Sequence, residues 1–274
     1  MEGCVDVKSK KIFISADIEG TCGIAHWHET DIGKPGYDAF AQQMTREVAA
    51  ACEGAVAGGA EAVLVKDAHD SARNIDARAL PRCASSLRGW TRDPYCMMAG
   101  LNASFDGVFC TGYHSPAGTD ANPLAHTMAL DYSLVTINGE IASELTISCL
   151  IAAMLRVPVL LVTGDEGLCA GIQRINPHIR TVPVNRGIGN GALSIHPDVA
   201  VERIREAARD AVSGDLSLCL LPLPERFVLE VTYREHALAH RNGFYPQARQ
   251  TGPRTVVYET EDYNEALRFM LFCL

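Results

Sequence analysis

The sequence lacks long uninterrupted apolar stretches. The longest candidate run, between residues 149 and 162, is broken by Arg156 and Pro158. It falls short of the ~18–20 apolar residues that a membrane-spanning helix needs. The N-terminal segment MEGCVDVKSKK also has no apolar core of the kind found in secretory signals. We therefore expect no association with a membrane and a cytoplasmic location.

Basic clusters are missing as well. The chain carries 24 Lys and Arg against 33 Asp and Glu, for a formal net charge of −9, and its one short basic run is SKK near the N-terminus. Affinity for nucleic acids and for anionic membrane surfaces comes largely from clustered Lys and Arg. The charge pattern therefore argues against both as partners.

The sequence also lacks cysteines spaced in pairs. Ten cysteines are present, but no two form a C-x-x-C pair, and most lie in apolar contexts. A zinc site built from thiolates and a disulfide framework are therefore both disfavoured. We interpret the cysteines as reduced, small apolar side chains.

The sequence does contain alternating apolar β-type runs and amphipathic helical runs, over a length of 274 residues that allows one large or two smaller domains. This alternation predicts an α/β fold with a mixed or mostly parallel sheet flanked by helices. We place an α/β domain at residues 1–195 and a smaller α+β subdomain at residues 196–274. Strands are predicted at 12–16, 62–66, 107–111, 157–163, 227–233 and 255–259, and helices at 37–58, 141–155 and 197–213.

Polar side chains follow each of the first four predicted strands directly. In doubly wound sheets, ligands bind beyond the carboxyl ends of the strands, so we expect these side chains to share one edge of the sheet. They are, in chain order, Asp17 and Glu19, then Asp67, His69 and Asp70, then Tyr113 and His114, and finally Asp165 and Glu166.

Asp17 and Glu19 are two residues apart at a strand end, so both carboxylates project from the same face. Two like charges placed there repel unless a cation lies between them, and zinc accepts imidazole and carboxylate ligands where thiolates are absent. A two-metal site needs a carboxylate that bridges ions ~3.5–4 Å apart. Asp17 leaves the strand first and is the best bridging candidate, with Glu19 beside it and His69 and His114 as further ligands.

A fifth ligand is expected from the segment NGEIASELT, which offers Glu140 or Glu144. A helix that begins near residue 141 would place the two glutamates one turn apart, so both could face the site. Position in the sequence does not choose between them. The alternative role for Glu140 is that of a helix-start acid stabilised by the helix dipole.

Six motifs, in order, resemble the zinc-dependent D-aminopeptidase family, the DppA-type M55 peptidases. The similarity runs from about residue 12 to residue 197 and continues more diffusely to the C-terminus. The motifs are SADIEG (15–20), KDAHDSARN (66–74), GYHSPAGT (112–119), HT (126–127), NGEIASELT (138–146) and VTGDEGL (162–168).

The resemblance implies which residues form the site. It favours Glu144 over Glu140, because Ser143-Glu144 matches the family's context of a small residue before the ligand, although glycine is more frequent there. It also places His126 at the catalytic centre without making it a ligand, as a nucleophile or as an acid and base. Two zinc ions, with manganese or cobalt as possible substitutes, would be held by Asp17, Glu19, His69, His114 and Glu144.

The reaction expected from this resemblance is hydrolysis of the N-terminal residue of short peptides or amino-acid amides, D-Ala-type substrates in particular. A metal-bridging water would be the attacking group, since bound zinc lowers the pKa of water from about 15.7 to roughly 7. The resemblance also implies a homo-oligomer, a decameric ring built from dimers.

Two other functions fit the same residues. One is a metal-dependent amidohydrolase or esterase that acts on another small amide, because a fold and a metal site do not define a substrate. The other is a non-catalytic protein in which the metal only stabilises a binding or scaffold surface. Such a protein would coordinate its ions fully, whereas catalysis needs an open position.

Overall fold

The computed structural model describes residues 10–274. Residues 1–9, which carry most of the segment predicted to lack a secretory core, lie outside the described residues. In the part of the chain that is described, no helix has both the length and the apolar character needed to cross a membrane.

Two β-sheets and the helices around them make up residues 10–274. The strands are β1 (Lys10–Ala16), β2 (Ala60–Asp67), β3 (Ala84–Leu87), β4 (Gly107–Tyr113), β5 (Tyr132–Ile137), β6 (Glu140–Ile141), β7 (Val159–Asp165), β8 (Arg180–Ile188), β9 (Gly191–Ser194), β10 (Phe227–Tyr233), β11 (Arg249–Gln250) and β12 (Thr255–Thr260). The α-helices are α1 (Tyr37–Ala57), α2 (Glu144–Met154), α3 (Glu166–Ile175), α4 (Pro197–Ser213), α5 (His236–Asn242) and α6 (Tyr263–Cys273).

The larger sheet has the strand order β3-β2-β1-β4-β7-β8-β9 within the described residues. Its neighbouring strands are parallel except for the antiparallel pair β8 and β9. Strands β4 and β7 are buried along their whole length, because helices cover both faces of the sheet. The predicted α/β class with a mostly parallel, helix-flanked sheet is confirmed.

The direction in which successive strands are added to the sheet reverses between β1 and β4. Helix α1 leads from β1 to β2 at one side of the sheet, and α2 leads from β4 to β7 at the other. Right-handed crossovers in opposite directions place these helices on opposite faces. Helix α4 packs against α1, and α3 packs against β7 and β8. The carboxyl ends of β1 and β4 therefore flank the crevice where sheets of this type bind ligands.

The smaller sheet is antiparallel, with the order β11-β12-β10-β5-β6 in residues 10–274. Strand β10 has the predicted bounds, and β12 is one residue longer than predicted. Strands β5 and β6 were not predicted, and they precede residue 195, so this sheet takes strands from both sides of the predicted domain boundary. The division into residues 1–195 and 196–274 stays a prediction.

The helix predicted at residues 141–155 begins later, at Glu144. The Ser143 hydroxyl accepts a hydrogen bond from the Thr146 backbone N–H at 3.0 Å, and the Ser143 N–H donates to the Thr146 hydroxyl at 3.1 Å. This reciprocal cap defines the first turn. Glu140 instead lies in β6, paired with Ile137 of β5. The interpretation of Glu140 as a helix-start acid is therefore wrong.

Two glycines of the motifs allow the ends of β1 and β4 to close on each other. A Cβ atom on Gly20 would lie 1.9 Å from the Tyr113 carbonyl oxygen, and one on Gly112 would lie 2.2 Å from the Asp17 carbonyl oxygen. Gly112 also has a φ of +67°, which favours glycine. The Gly20 N–H donates to the Gly112 carbonyl at 2.8 Å. Glycine is needed at both positions because the two backbones touch.

Glu47 of α1 is a buried acid below the loop that follows Glu19. It is 1% exposed, and its Oε1 accepts hydrogen bonds from the Cys22 N–H and the Gln43 side chain, both at 3.0 Å. Its Oε2 has no hydrogen-bond partner among the described residues. Burial raises the pKa of Glu47 from 4.5 to about 7.

Because of this raised pKa, we expect Glu47 to make the unfolding free energy depend on pH. Glu47→Gln should lack this contribution. The folded state holds a proton more tightly than the unfolded state, so the stabilisation is complete below pH ~4.5 and is lost as pH rises to ~7. At about 1.4 kcal/mol for each pKa unit, the loss is roughly 3 kcal/mol. Urea unfolding of both proteins between pH 4 and 8 checks this. A constant difference in their unfolding free energies across that range would contradict the prediction.

Candidate active site

The six predicted site residues lie together at the carboxyl edge of the larger sheet. Each one is buried, at 9% exposure or less. Asp17 and Glu19 follow β1, His69 follows β2, and His114 follows β4. The remaining two come from farther along the chain, since Glu144 is the first residue of α2 and His126 lies in the loop between β4 and β5.

Asp17 lies between two histidines and directs one carboxylate oxygen towards each. Its Oδ1 is 3.3 Å from His69 Nδ1, and its Oδ2 is 3.5 Å from His114 Nε2. On the first side, His69 Nδ1 is also 3.1 Å from Glu19 Oε2. On the second side, His114 Nε2 is 3.3 Å from Glu144 Oε2.

These contacts form two groups that could each hold a metal ion, and Asp17 belongs to both. One group is Asp17, Glu19 and His69, and the other is Asp17, His114 and Glu144. In each group the potential ligand atoms lie within 4.8 Å of one another. A carboxylate shared by two groups of this kind is the arrangement that a pair of bridged ions requires.

Backbone carbonyls orient all three histidines. His69 Nε2 is 3.0 Å from the Thr30 carbonyl oxygen, and His114 Nδ1 is 3.0 Å from the Ser115 carbonyl oxygen. His126 Nδ1 is 2.9 Å from the Leu124 carbonyl oxygen. A carbonyl only accepts, so these ring nitrogens donate, and the opposite nitrogen of each ring faces the carboxylates of the site. Such contacts fix the tautomer and the orientation of histidine ligands.

The pKa shifts of the five predicted metal ligands, called the cluster below, also agree with a site for a cation. Burial and the nearby Glu19 carboxylate raise the pKa of Asp17 well above its usual range. Burial opposes the ionisation of Glu19 as well, but the attraction of His69 outweighs it and holds the pKa of Glu19 well below its usual range. Burial likewise disfavours charge on His69 and His114, yet the facing carboxylates raise the pKa of both well above normal.

Three buried polar atoms of the cluster make no well-aligned hydrogen bond within residues 10–274, although each faces another atom of the site at 3.1–3.5 Å. They are Asp17 Oδ2, Glu19 Oε2 and His114 Nε2. Buried polar atoms without partners are costly, and they recur where a site is built for an ion. The donor set of nitrogen and oxygen atoms suits zinc, manganese or cobalt. The residues therefore fit a divalent metal.

His126 adjoins this cluster from one side. Its ring stacks on that of His114, with centroids 4.3 Å apart and planes at 7°, and it contacts Trp27 edge to face at 5.2 Å. His126 Nε2 is 3.5 Å from Glu144 Oε1 and 3.9 Å from Glu19 Oε1. The ring is thus placed beside both metal-binding groups and belongs to neither group that shares Asp17. It does form a third possible group, with Glu19 and His114.

Comparison with known proteins agrees with this geometry. The family model Peptidase_M55, described as D-aminopeptidase, matches residues 10–272. The chain belongs to this family. It is 28% identical over 263 residues to a D-aminopeptidase of Bacillus subtilis (strain 168), with 95% of both chains covered.

A solved structure is similar as well. It is the Zn-dependent D-aminopeptidase DppA from Bacillus subtilis, described as a self-compartmentalizing protease, with a TM-score of 0.90, 27% identity and 96% of both chains covered. Family, fold and site together make the chain a metallo-aminopeptidase, a hydrolase that acts on peptide bonds. The predictions of the family and of an enzyme are confirmed.

Other acids near the site of this M55 peptidase support its loops. Asp67 accepts from the Asn74 side chain at 2.8 Å and from the Ile75 N–H at 2.8 Å, which folds the loop that carries His69. Asp165 accepts from the N–H and the hydroxyl of Ser115, both at 2.6 Å, and caps α3. Glu166 is exposed and lies 3.8 Å from Arg186. Asp67 and Asp165 therefore act as turn and capping residues, whereas Glu166 takes part in a surface ion pair.

The metal-binding groups open into a cavity of about 510 Å³. Its lining includes Trp27, Asp31, Asp70, Trp90 and Leu130, in addition to the cluster itself. Sequence reasoning did not identify Trp27 or the carbonyl of Thr30 as parts of the site. Nothing in their local pattern pointed to it, because Trp27 acts through a ring contact and Thr30 through its backbone.

Proposed function

We propose that this chain is a dinuclear zinc aminopeptidase that removes the N-terminal residue from short peptides or amino-acid amides, with D-Ala-type substrates preferred. The observation that carries the proposal is the position of Asp17, whose two oxygens face two separate histidine-carboxylate groups. Glu19 and His69 would complete one ion's ligands, and His114 and Glu144 the other's. Bound zinc ions supply water of lowered pKa and polarise a carbonyl group.

His126 is the proposed acid and base of the reaction. Its Nδ1 is held by the Leu124 carbonyl, which leaves Nε2 as the atom that exchanges protons with the reacting groups. The stack on His114 and the edge contact with Trp27 hold the ring in place. A positioned imidazole next to the metal ligands can accept a proton during attack and donate it to the leaving amine.

Membership of a peptidase family favours an enzyme over a non-catalytic scaffold. A related amidohydrolase or esterase activity on another small amide remains the second candidate, because the same metal site would serve it. The similarity to a self-compartmentalizing protease supports a homo-oligomer. We propose a decameric ring, which light scattering tests, and a cytoplasmic location, which cell fractionation tests.

The test of the proposal uses metal-free protein reloaded with zinc, manganese or cobalt. We expect two zinc ions per chain and faster hydrolysis of D-alanyl than of L-alanyl amides and dipeptides. Glu144→Gln should lose metal and activity, because its Oε2 lies 3.3 Å from His114 Nε2. Glu140→Gln is the matched control, since Glu140 is exposed in β6 and should leave both unchanged. Equal effects of the two variants, or faster hydrolysis of L-alanyl substrates, would contradict the proposal.

A further inference from the structure

A small apolar pocket adjoins the active-site cavity. It has a volume of about 100 Å³ and lies between α2 and α6. Its walls include Ile147 and Ile151 from α2 and Leu267, Met270 and Leu271 from α6. The residues that line both this pocket and the active-site cavity are Cys96, Met97, Met128 and Glu144.

Glu144 connects the pocket directly to the metal-binding cluster. Its Oε2 faces His114 at 3.3 Å, and its Oε1 accepts a hydrogen bond from the Met128 N–H at 2.7 Å. The carboxylate is therefore directed towards the cluster and the loop after β4. Because Glu144 lines both cavities, the pocket lies directly beside the place where a substrate would bind the metal-binding groups.

The chemistry of the pocket selects an uncharged occupant. Among the described residues that line it, Glu144 is the one with an acidic side chain, and its carboxylate is directed towards His114 and the Met128 N–H. Burying a second charge against Ile147, Ile151 and Leu267 would be costly, since none of them can pair with it.

The size of the pocket limits the occupant further. An apolar protein cavity of about 150 Å³ holds one benzene molecule, with its six carbon atoms. A volume of about 100 Å³ thus corresponds to roughly four carbon atoms. Side chains such as those of valine and leucine match this volume, an alanine methyl leaves most of it unfilled, and a phenylalanine ring with its methylene exceeds it.

From these observations we propose that the pocket binds the side chain of the substrate's N-terminal residue, admits aliphatic side chains of up to about four carbons, and excludes larger or charged ones. This inference rests on the proposed aminopeptidase function. The pocket is a small recess packed between two helices, and it suits a side chain that ends there. The larger cavity, lined by Trp27, Asp31, Asp70 and Trp90, is where the remainder of the peptide leads away from the metals.

The test measures kcat/KM for dipeptides with D-Ala, D-Val, D-Leu, D-Phe or D-Glu first and a constant second residue. A second series varies only the second residue. We expect D-Val and D-Leu to exceed D-Phe and D-Glu by at least about 10-fold, a usual range for discrimination by an apolar pocket. A ranking that follows the second residue, or no preference among first residues, would overturn the inference.

Two pocket variants and one control sharpen the test. Ile151 is 1% exposed, so Ile151→Phe directs the added ring into the pocket and should lower kcat/KM for D-Leu at least about 10-fold while sparing D-Ala. Leu271→Ala enlarges the pocket at a position that is 36% exposed, and should raise activity on D-Phe relative to D-Leu. Leu150 is on the same helix but lines a different cavity. Leu150→Phe should therefore change neither the activity on D-Leu relative to D-Ala nor the activity on D-Phe relative to D-Leu.

Calorimetric binding of free D-amino acids to the zinc-loaded protein separates this inference from the proposed function. If the wild type hydrolyses no peptide but binds D-alanine and D-leucine more tightly than D-phenylalanine, and Ile151→Phe or Leu271→Ala alters that preference, the pocket inference holds and the proposed function fails. If the wild type hydrolyses peptides while the pocket variants change neither binding nor substrate ranking, the pocket inference fails and the aminopeptidase remains.

Discussion

Asp17→Asn is expected to abolish zinc-dependent turnover and to make the metal-free protein more stable. The asparagine side chain keeps one oxygen and replaces the other with an NH₂ group that cannot bind a metal, so the two groups can no longer share a ligand. If the lost transition-state stabilisation is ~4 kcal/mol, turnover falls roughly 10³-fold. Burial and the nearby Glu19 carboxylate raise the pKa of Asp17, so a charge on its carboxyl group is unfavourable in the metal-free protein. Removing that charge should therefore raise the Tm of the metal-free protein.

Metal analysis and thermal unfolding with and without zinc provide the measurements. Wild type should gain stability on zinc addition, by about 4 kcal/mol at a zinc concentration of 1,000 Kd, and the variant should gain much less. Asp31→Asn is the matched control, because Asp31 lines the same cavity outside the metal-binding groups. Two zinc ions retained per chain in Asp17→Asn would refute its role as the bridging ligand. His114→Ala should also retain fewer than two ions.

His126→Ala is expected to keep its zinc and to lose turnover by at least ~10²-fold, the lower range for a missing acid or base. The two groups that share Asp17 do not include His126, so metal binding should persist. The loss should appear mainly in kcat, because proton transfer occurs during the reaction. Zinc content, kcat and KM measured on one preparation are the required data.

Trp27→Phe is the control for the ring contacts of His126, since it keeps an aromatic edge beside that ring. We expect its turnover to stay within a few-fold of wild type. Near-normal turnover in His126→Ala would remove His126 from the mechanism. Loss of one zinc ion would instead make it a ligand, through the group that it forms with Glu19 and His114.

Much of the secondary structure was predictable because its periodicity is strong. Helix α4 and strand β10 have the predicted bounds, and α1 ends at Ala57, one residue before the predicted end. Each carries a regular apolar face that tertiary contacts reinforce. The bounds of α2 were predictable only in part, because the Ser143 cap is a local hydrogen-bond pattern inside a longer apolar run.

The smaller sheet was predictable only in its C-terminal strands. Strand β5 is buried at Tyr132, Val135 and Ile137, an irregular pattern that local periodicity does not detect. It exists as a strand because it pairs with β10, almost a hundred residues away in the chain. Pairing over such a distance depends on the folded arrangement of both segments. The sequence therefore did not show that this sheet takes strands from both sides of the predicted domain boundary.

By itself the sequence determined the type and order of the site residues. Asp17 and Glu19 share a face because strand geometry repeats every two residues, and His69 and His114 follow strands whose ends meet at one edge. The tertiary structure decided which atoms pair. It places Asp17 between two histidines, brings Glu144 to the cluster while Glu140 stays exposed in β6, and aims His126 Nε2 at the ligands. Such pairings depend on caps, backbone carbonyls and helix packing between distant segments, which local sequence does not encode.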